Sequence, residues 1–217
     1  MSNDQIDEYE QGERVRKWLR DNGGAVFGGI ALGLAAIAGF QFYQSHLANQ
    51  RVEASRQFDR FVDAQEAGEA EKAGGLAASL ATNFADTPYP ALAALRRASV
   101  LVAEGKAEEA LNALDAAIPG TRDVALAQLM QLRAARAEVL LGRHDAALAR
   151  LGRVDLQSYR AMREELRGDV LAAQGQRDEA RRAYQDALAA TDVASPTRVL
   201  LELKLADVGG SAQTSEA

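Results

Sequence analysis

The chain has 217 residues, with 25 Lys and Arg against 31 Asp and Glu, a net charge of −6 and no cysteine. The acidic balance provides no basic surface to hold nucleic acid. The lack of thiols excludes a disulfide framework, a thiolate metal site and a cysteine-anchored lipoprotein. Alanine and leucine dominate, proline occurs four times, and no alternating β-branched run appears, so the composition predicts an all-α protein.

Residues 1–21 carry six acids and four bases, the bases being Arg14, Arg16, Lys17 and Arg20. From Asn22 to Ser45 there is no charge. As a helix at about 1.5 Å per residue that stretch is about 36 Å long, enough to cross a hydrocarbon core of about 30 Å. A buried core helix would need a polar stripe, and this run has none. A cleaved export signal is the stronger competitor, since Ala36-Ile37-Ala38 fits a cleavage pattern. Against it stand the long acidic leader and the continuation of the apolar run through Phe40, Phe42 and Tyr43, aromatics suited to the membrane interface. The prediction is an uncleaved transmembrane helix over 22–45 after a cytoplasmic segment 1–21. The bases crowd the N-terminal flank and the next one is Arg51, so the N-terminus is expected in the cytoplasm.

Gly24, Gly28, Ala31, Ala35 and Gly39 share one face of that helix, and Gly29-x-x-x-Gly33 is a second short match. Small residues let helix backbones approach closely in lipid, so this face is a candidate packing surface for a partner helix.

Residues 46–207 are predicted to form a repeat domain, opening with a helix over about Gln44–Glu66 that carries Phe58, Phe61 and Val62. The pattern G-x-x-[DE]-x-A occurs at Gly68, Gly105, Gly142 and Gly175, at spacings of 37, 37 and 33 residues. Each glycine suits the left-handed end of a helix. Glu71, Glu108, Asp145 and Asp178 are expected to meet the free N–H groups and positive dipole of the next helix. Ala73, Ala110, Ala147 and Ala180 let two helices touch, with Ala77, Leu114, Leu151 and Tyr184 four residues on. Seven residues before each glycine stand Phe61, Ala98, Ala135 and Gly168. A helix–turn–helix unit of this period resembles the tetratricopeptide repeat. The copy with Gly168, Gly175, Ala180, Tyr184 and Ala187 fits best. The first fits least, because Gly74-Gly75 is expected to interrupt its second helix. A last helix after Ser195-Pro196, with Ser195 as cap, is expected to cover the open end with Leu200, Leu201, Leu203 and Leu205. Residues 208–217 read as a disordered tail.

No reactive constellation appears. The two histidines, His46 and His144, lack partners for metal or catalysis, and no phosphate-binding loop or H-E-x-x-H occurs. The expectation is a non-enzymatic binding scaffold with no cofactor and no metal, its acids forming solvated faces. Projected through the repeat, Leu92, Leu129 and Met162 form one row of a possible concave groove. Arg96 and Arg133 form another, with Arg136 nearby. A mixed apolar and cationic groove suits extended or partly unfolded chains.

The stretch "EQGERVRKWLRDNGGAVFGGIALGL", through Glu10, Gln11, Lys17, Trp18, Asn22 and Gly23, resembles a bacterial inner-membrane family, the ancillary subunits of the Sec translocon. The match extends to the whole layout of acidic leader, single anchor and repeat domain. Leu19 stands where that family usually has a second aromatic. The resemblance implies a single-pass inner-membrane protein with a periplasmic tetratricopeptide-like domain. It would associate with the translocon and with a membrane-anchored periplasmic chaperone of the prolyl-isomerase type, and assist exported proteins emerging from the channel. Two other classes share the architecture: a scaffold for another envelope assembly, such as a cell-division or secretion complex, and a cleaved soluble repeat protein.

Overall fold

In a computed structural model of the chain, which describes residues 4–210, every regular element is helical. Side chains are described from residue 12 onward, except those of Glu13, Val15, Leu19 and Val26. The expectations placed on Glu10, Gln11, Leu19 and the stretch 211–217 fall outside the described residues. The helices are α1 (Asp4–Glu66), α2 (Ala70–Asn83), α3 (Tyr89–Ala103), α4 (Ala107–Ala117), α5 (Val124–Leu140), α6 (His144–Leu151), α7 (Arg160–Ala173), α8 (Arg177–Ala189) and α9 (Thr197–Asp207). The chain divides into two units, 1–53 and 54–217.

The first unit is helical from Asp4. The anchor segment and the helix expected from Gln44 therefore belong to one uninterrupted α1 of 63 residues. No proline breaks it, and its apolar stretch is long enough and apolar enough to cross a membrane. Phe27, Leu32, Phe40 and Phe42 all stand exposed on it.

The second unit is a row of helical hairpins. Residues 54–66 of α1 pair with α2, then α3 with α4, α5 with α6 and α7 with α8, and α9 covers α8. Gly68, Gly105, Gly142, Gly175 and also Gly209 have φ between 71° and 80°. At each, the glycine N–H bonds the carbonyl three residues back, and the next N–H bonds the carbonyl five residues back. Gly142 to Val139 at 3.0 Å and Arg143 to Glu138 at 2.8 Å are one instance. This is the Schellman helix stop, repeated five times, and it confirms the glycine register read from the sequence.

The helix contacts within each hairpin follow a volume rule. Ala73, Ala110, Ala147 and Ala180 are all buried. The residue seven before each glycine packs with the residue nine after it: Ala98 with Leu114 and Ala135 with Leu151 share a cluster. In the first hairpin the sizes reverse, a fully buried Phe61 facing the cluster that Ala77 joins. In the last, Gly168 makes room for the buried ring of Tyr184. A close-packed interior tolerates a large residue on one side only if the other is small.

Several local expectations are corrected. The helix α2 runs straight through Gly74-Gly75, because an internal glycine costs only about 1 kcal/mol of helix propensity and breaks nothing by itself. The acids at the second position of α2, α4, α6 and α8 do stand in the first turn, at the positive dipole end, but none accepts a hydrogen bond from a helix N–H among the described residues. Glu108 also accepts from Arg143 at 2.7 Å and Asp145 from Gln174 at 3.1 Å, which ties the second hairpin to the third and the third to the fourth. Among α2 to α9 only α5 has a side-chain cap, Asp123 accepting from Leu126 N–H at 2.9 Å. Pro196, not Ser195, occupies the cap position of α9, and the Ser195 hydroxyl bonds that of Thr197 at 2.8 Å. Of the four leucines of α9, Leu201 and Leu205 are buried on α8, joined there by Val208, while Leu200 and Leu203 are exposed. A helix one layer thick at the end of an array can bury only one stripe.

Candidate functional site

On α1 the side-chain amide of Asn22 donates to the carbonyl of Trp18 at 3.1 Å, and Trp18 stands exposed beside exposed Lys17. Gly23 follows in the same helix. A Cβ added at Gly24, Gly28 or Gly39 would meet nothing within 4 Å, and Ala31 and Ala35 are exposed. The small-residue face is therefore uncovered among the described residues.

In the repeat domain the residues projected onto a groove lie on the first helix of successive hairpins, α3, α5 and α7. Leu92 and Leu129 are half-buried and Met162 is exposed. On α5 the sequence Leu129, Arg133, Arg136, Leu140 follows one stripe at i, i+4, i+7 and i+11, with the last three exposed. Arg96 donates to Glu66 at 2.6 Å, so the hairpin before it already holds its charge. Arg133 and Arg136 make no ion pair among the described residues.

The strongest electrostatics lie elsewhere, between hairpins. Arg150 of α6 reaches Asp115 of α4 at 2.6 Å and both Glu138 (2.7 Å) and Gln131 (3.1 Å) of α5. The Glu138 side chain is 6% exposed and that of Arg150 13%. Burial pushes the Arg150 guanidinium down, but the bonds from Glu138 and Asp115 more than offset it, and its pKa lies above the ordinary arginine value. Gln128, also buried, accepts from the Asp155 and Leu156 N–H groups at 3.1 and 2.9 Å and thereby holds the loop after α6. Glu164 is buried between Arg163 and Arg167. The expectation that the acids form solvated faces fails for Glu138 and Glu164. Sequence reading missed them because a charged residue at helix-surface spacing gives no sign that a neighbouring hairpin covers it. One signal existed: Asp115 and Arg150, like Glu108 and Arg143, are 35 residues apart, close to the 37-residue period.

At the far end, Lys204 of α9 bonds Glu165 at 2.7 Å and Asp169 at 2.8 Å on α7, and the Tyr184 hydroxyl donates to Asp169 at 2.9 Å. Burial and then the Asp169 charge push the Tyr184 phenol well above its ordinary value. Among the described residues no group of His, Asp and Glu side chains is placed to hold a metal ion.

A row of helical hairpins with repeated glycine stops, following an apolar helix, defines a tetratricopeptide-type repeat protein. The family described as tetratricopeptide repeat-like domain matches residues 16–210, and the chain belongs to it. The chain is also similar to three relatives, each named ancillary SecYEG translocon subunit. That of Escherichia coli (strain K12) is 29% identical over 198 residues, 91% of this chain and 95% of the relative. That of Haemophilus influenzae (strain ATCC 51907 / DSM 11121 / KW20 / Rd) is 26% identical over 182 residues, 84% and 89% of the two chains. That of Aggregatibacter actinomycetemcomitans is 25% identical over the same length and shares. These relatives bear out the resemblance drawn from the N-terminal segment and the layout.

Proposed function

We propose that the protein is a non-enzymatic accessory subunit of the Sec translocon, held in the bacterial inner membrane by α1 with its N-terminus in the cytoplasm and its repeat domain in the periplasm. There it binds a membrane-anchored chaperone of the prolyl-isomerase type and assists exported proteins as they emerge. The observation that carries this reading is the extent of the similarity: relatives named for the translocon align along both the apolar helix and the repeats, over 91% of the chain in one case. The basic flank at Arg14, Arg16, Lys17 and Arg20 supports the orientation. The uncovered face at Gly28 and Ala35 supports close approach by a partner helix in lipid. The stripe of Leu129, Arg133 and Arg136, with Leu92, Arg96 and Met162 on the flanking helices, supports a groove for extended chains.

The test is affinity purification from membranes in mild detergent, with the translocon subunits as readout. Replacing Gly28 and Ala35 with leucine keeps α1 apolar and is expected to lower recovery of the translocon, whereas leucine at Ile30 and Ile37 leaves it intact. A reporter active only in the periplasm, fused after Ala217, is expected to be active. No recovery of translocon subunits with the unaltered protein overturns the proposal, and a silent periplasmic reporter overturns the topology.

A further inference from the structure

The seam between each hairpin and the next is built from equivalent positions, and aligning them on the glycines shows one seam left open. In the seam between α4 and α5, Leu111 and Leu114 are buried, and Arg150 of α6 bridges Asp115 of α4 and Gln131 of α5. In the seam between α6 and α7, Leu148 and Leu151 face Glu164, whose carboxylate accepts from Arg167 at 3.2 Å, and a cavity of about 380 Å³ is left. In the seam between α2 and α3 the counterparts of the two leucines are Gly74 and Ala77. Ala94 replaces Gln131 and Glu164, and Ala113 of α4 replaces Arg150. The result is a cavity of about 690 Å³ in which alanine is the commonest lining residue.

Arg97 sits at the position of Arg167, lines this cavity and is exposed. It has no carboxylate partner among the described residues. At the rim Asp86 is paired with Arg122, and Asp123 caps α5, so Arg97 is the charge left over. The open seam thus lacks the paired leucines of both its counterparts, and it lacks the acid that faces the arginine in the seam between α6 and α7.

We propose that the seam between α2 and α3 is a docking site for a helical segment of a partner protein, one that presents leucine-like side chains with a glutamate or aspartate one turn away. The aliphatic groups fill the space left by Gly74, Ala77 and Ala113. The carboxylate takes the place, beside Arg97, that Glu164 holds beside Arg167. An apolar groove with one convergent charge fixes both affinity and register. The inference goes beyond membership of the translocon and does not depend on it.

The test uses the full chain in mild detergent and a fluorescein-labelled helical peptide in which leucines flank a glutamate at i, i+3 and i+4 spacing. A second peptide has glutamine for the glutamate. Saturable binding is expected by fluorescence anisotropy, weaker by about tenfold for the glutamine peptide, because a charge-assisted bond is lost. Ala113→Leu fills the cavity and Ala94→Glu supplies the acid internally. Each is expected to hold or raise the melting temperature while weakening binding by about tenfold or more, as a cavity filled from within excludes the peptide. Arg97→Gln is expected to erase the preference between the two peptides. Absence of saturable binding overturns the proposal, as does undiminished binding by a folded Ala113→Leu variant. A change in particle mass on filling the seam, with no peptide binding, would assign the site to a second copy instead.

Discussion

Gly168 of α7 lies against the ring of Tyr184 of α8, so closely that a Cβ at Gly168 would stand 2.5 Å from Cε1 of the tyrosine. The aligned hairpins put alanine and leucine at these two places, Ala98 with Leu114 and Ala135 with Leu151. Gly168→Ala alone is therefore expected to destabilise the domain by about 1–3 kcal/mol through overpacking. Joined to Tyr184→Leu it should recover part of that loss, because the pair then copies the two hairpins before it. Chemical denaturation of the single and double variants measures the coupling; strictly additive effects would show that the two residues do not share one volume.

The buried pair of Arg150 and Glu138 supports a second thermodynamic cycle. Arg150→Met leaves the Glu138 carboxylate buried without its partner and is expected to cost about 3–5 kcal/mol. Arg150→Met with Glu138→Leu removes both charges and should recover most of that. If the double variant is as unstable as the single one, packing of the arginine stem, and not the charge, is what the seam needs.

Alkaline pH should unfasten α9. The pKa values of Tyr184 and Lys204 are both raised in the folded protein, the first by burial and Asp169, the second because Asp169 and Glu165 outweigh the opposing effect of burial. Groups of this kind hold protons more tightly folded than unfolded. Their stabilisation is complete below the ordinary values of about 10 and is lost as the pH rises above them. The melting temperature is expected to be flat between about pH 7 and 9 and to fall above about pH 10. Tyr184→Phe should lower stability by about 1 kcal/mol at neutral pH through loss of the bond to Asp169, and make the alkaline fall shallower.

Gly142 tests the helix stops. At φ 71° a β-branched side chain is strained whatever the space around it, and a Cβ there meets nothing within 4 Å. Gly142→Val is expected to cost at least about 1–2 kcal/mol, and Gly142→Asn clearly less, because asparagine tolerates the left-handed region. Equal losses from the two would locate the cost in something other than backbone conformation.

The hairpin register was legible because glycine at a left-handed stop is a local requirement that no neighbour can supply. The alanines at Ala110, Ala147 and Ala180 were legible for a similar reason, since close helix approach admits little else. The fate of a charge or a leucine depends on what the next hairpin lays over it. Glu138 and Glu164 therefore read as surface and are buried, and Leu200 and Leu203 read as cover and face outward. Gly74-Gly75 read as a break because propensity was weighed without the tertiary contacts of Ala73 and Leu80, which hold α2 in place.

The open seam beside α2 also sets how the domain comes apart. In a linear array each hairpin is stabilised only by its neighbours, so disorder enters where a neighbour contributes least. The later hairpins are laced together by Arg143, Arg150 and Lys204, whereas α2 meets the following hairpin across a cavity of about 690 Å³. Its amide protons should exchange with solvent ahead of those in α5 and α7, without waiting for global unfolding. A ligand seated there would slow that exchange selectively, so the start of the repeat array can be fluid when empty and firm when occupied, while the rest of the scaffold keeps its shape throughout.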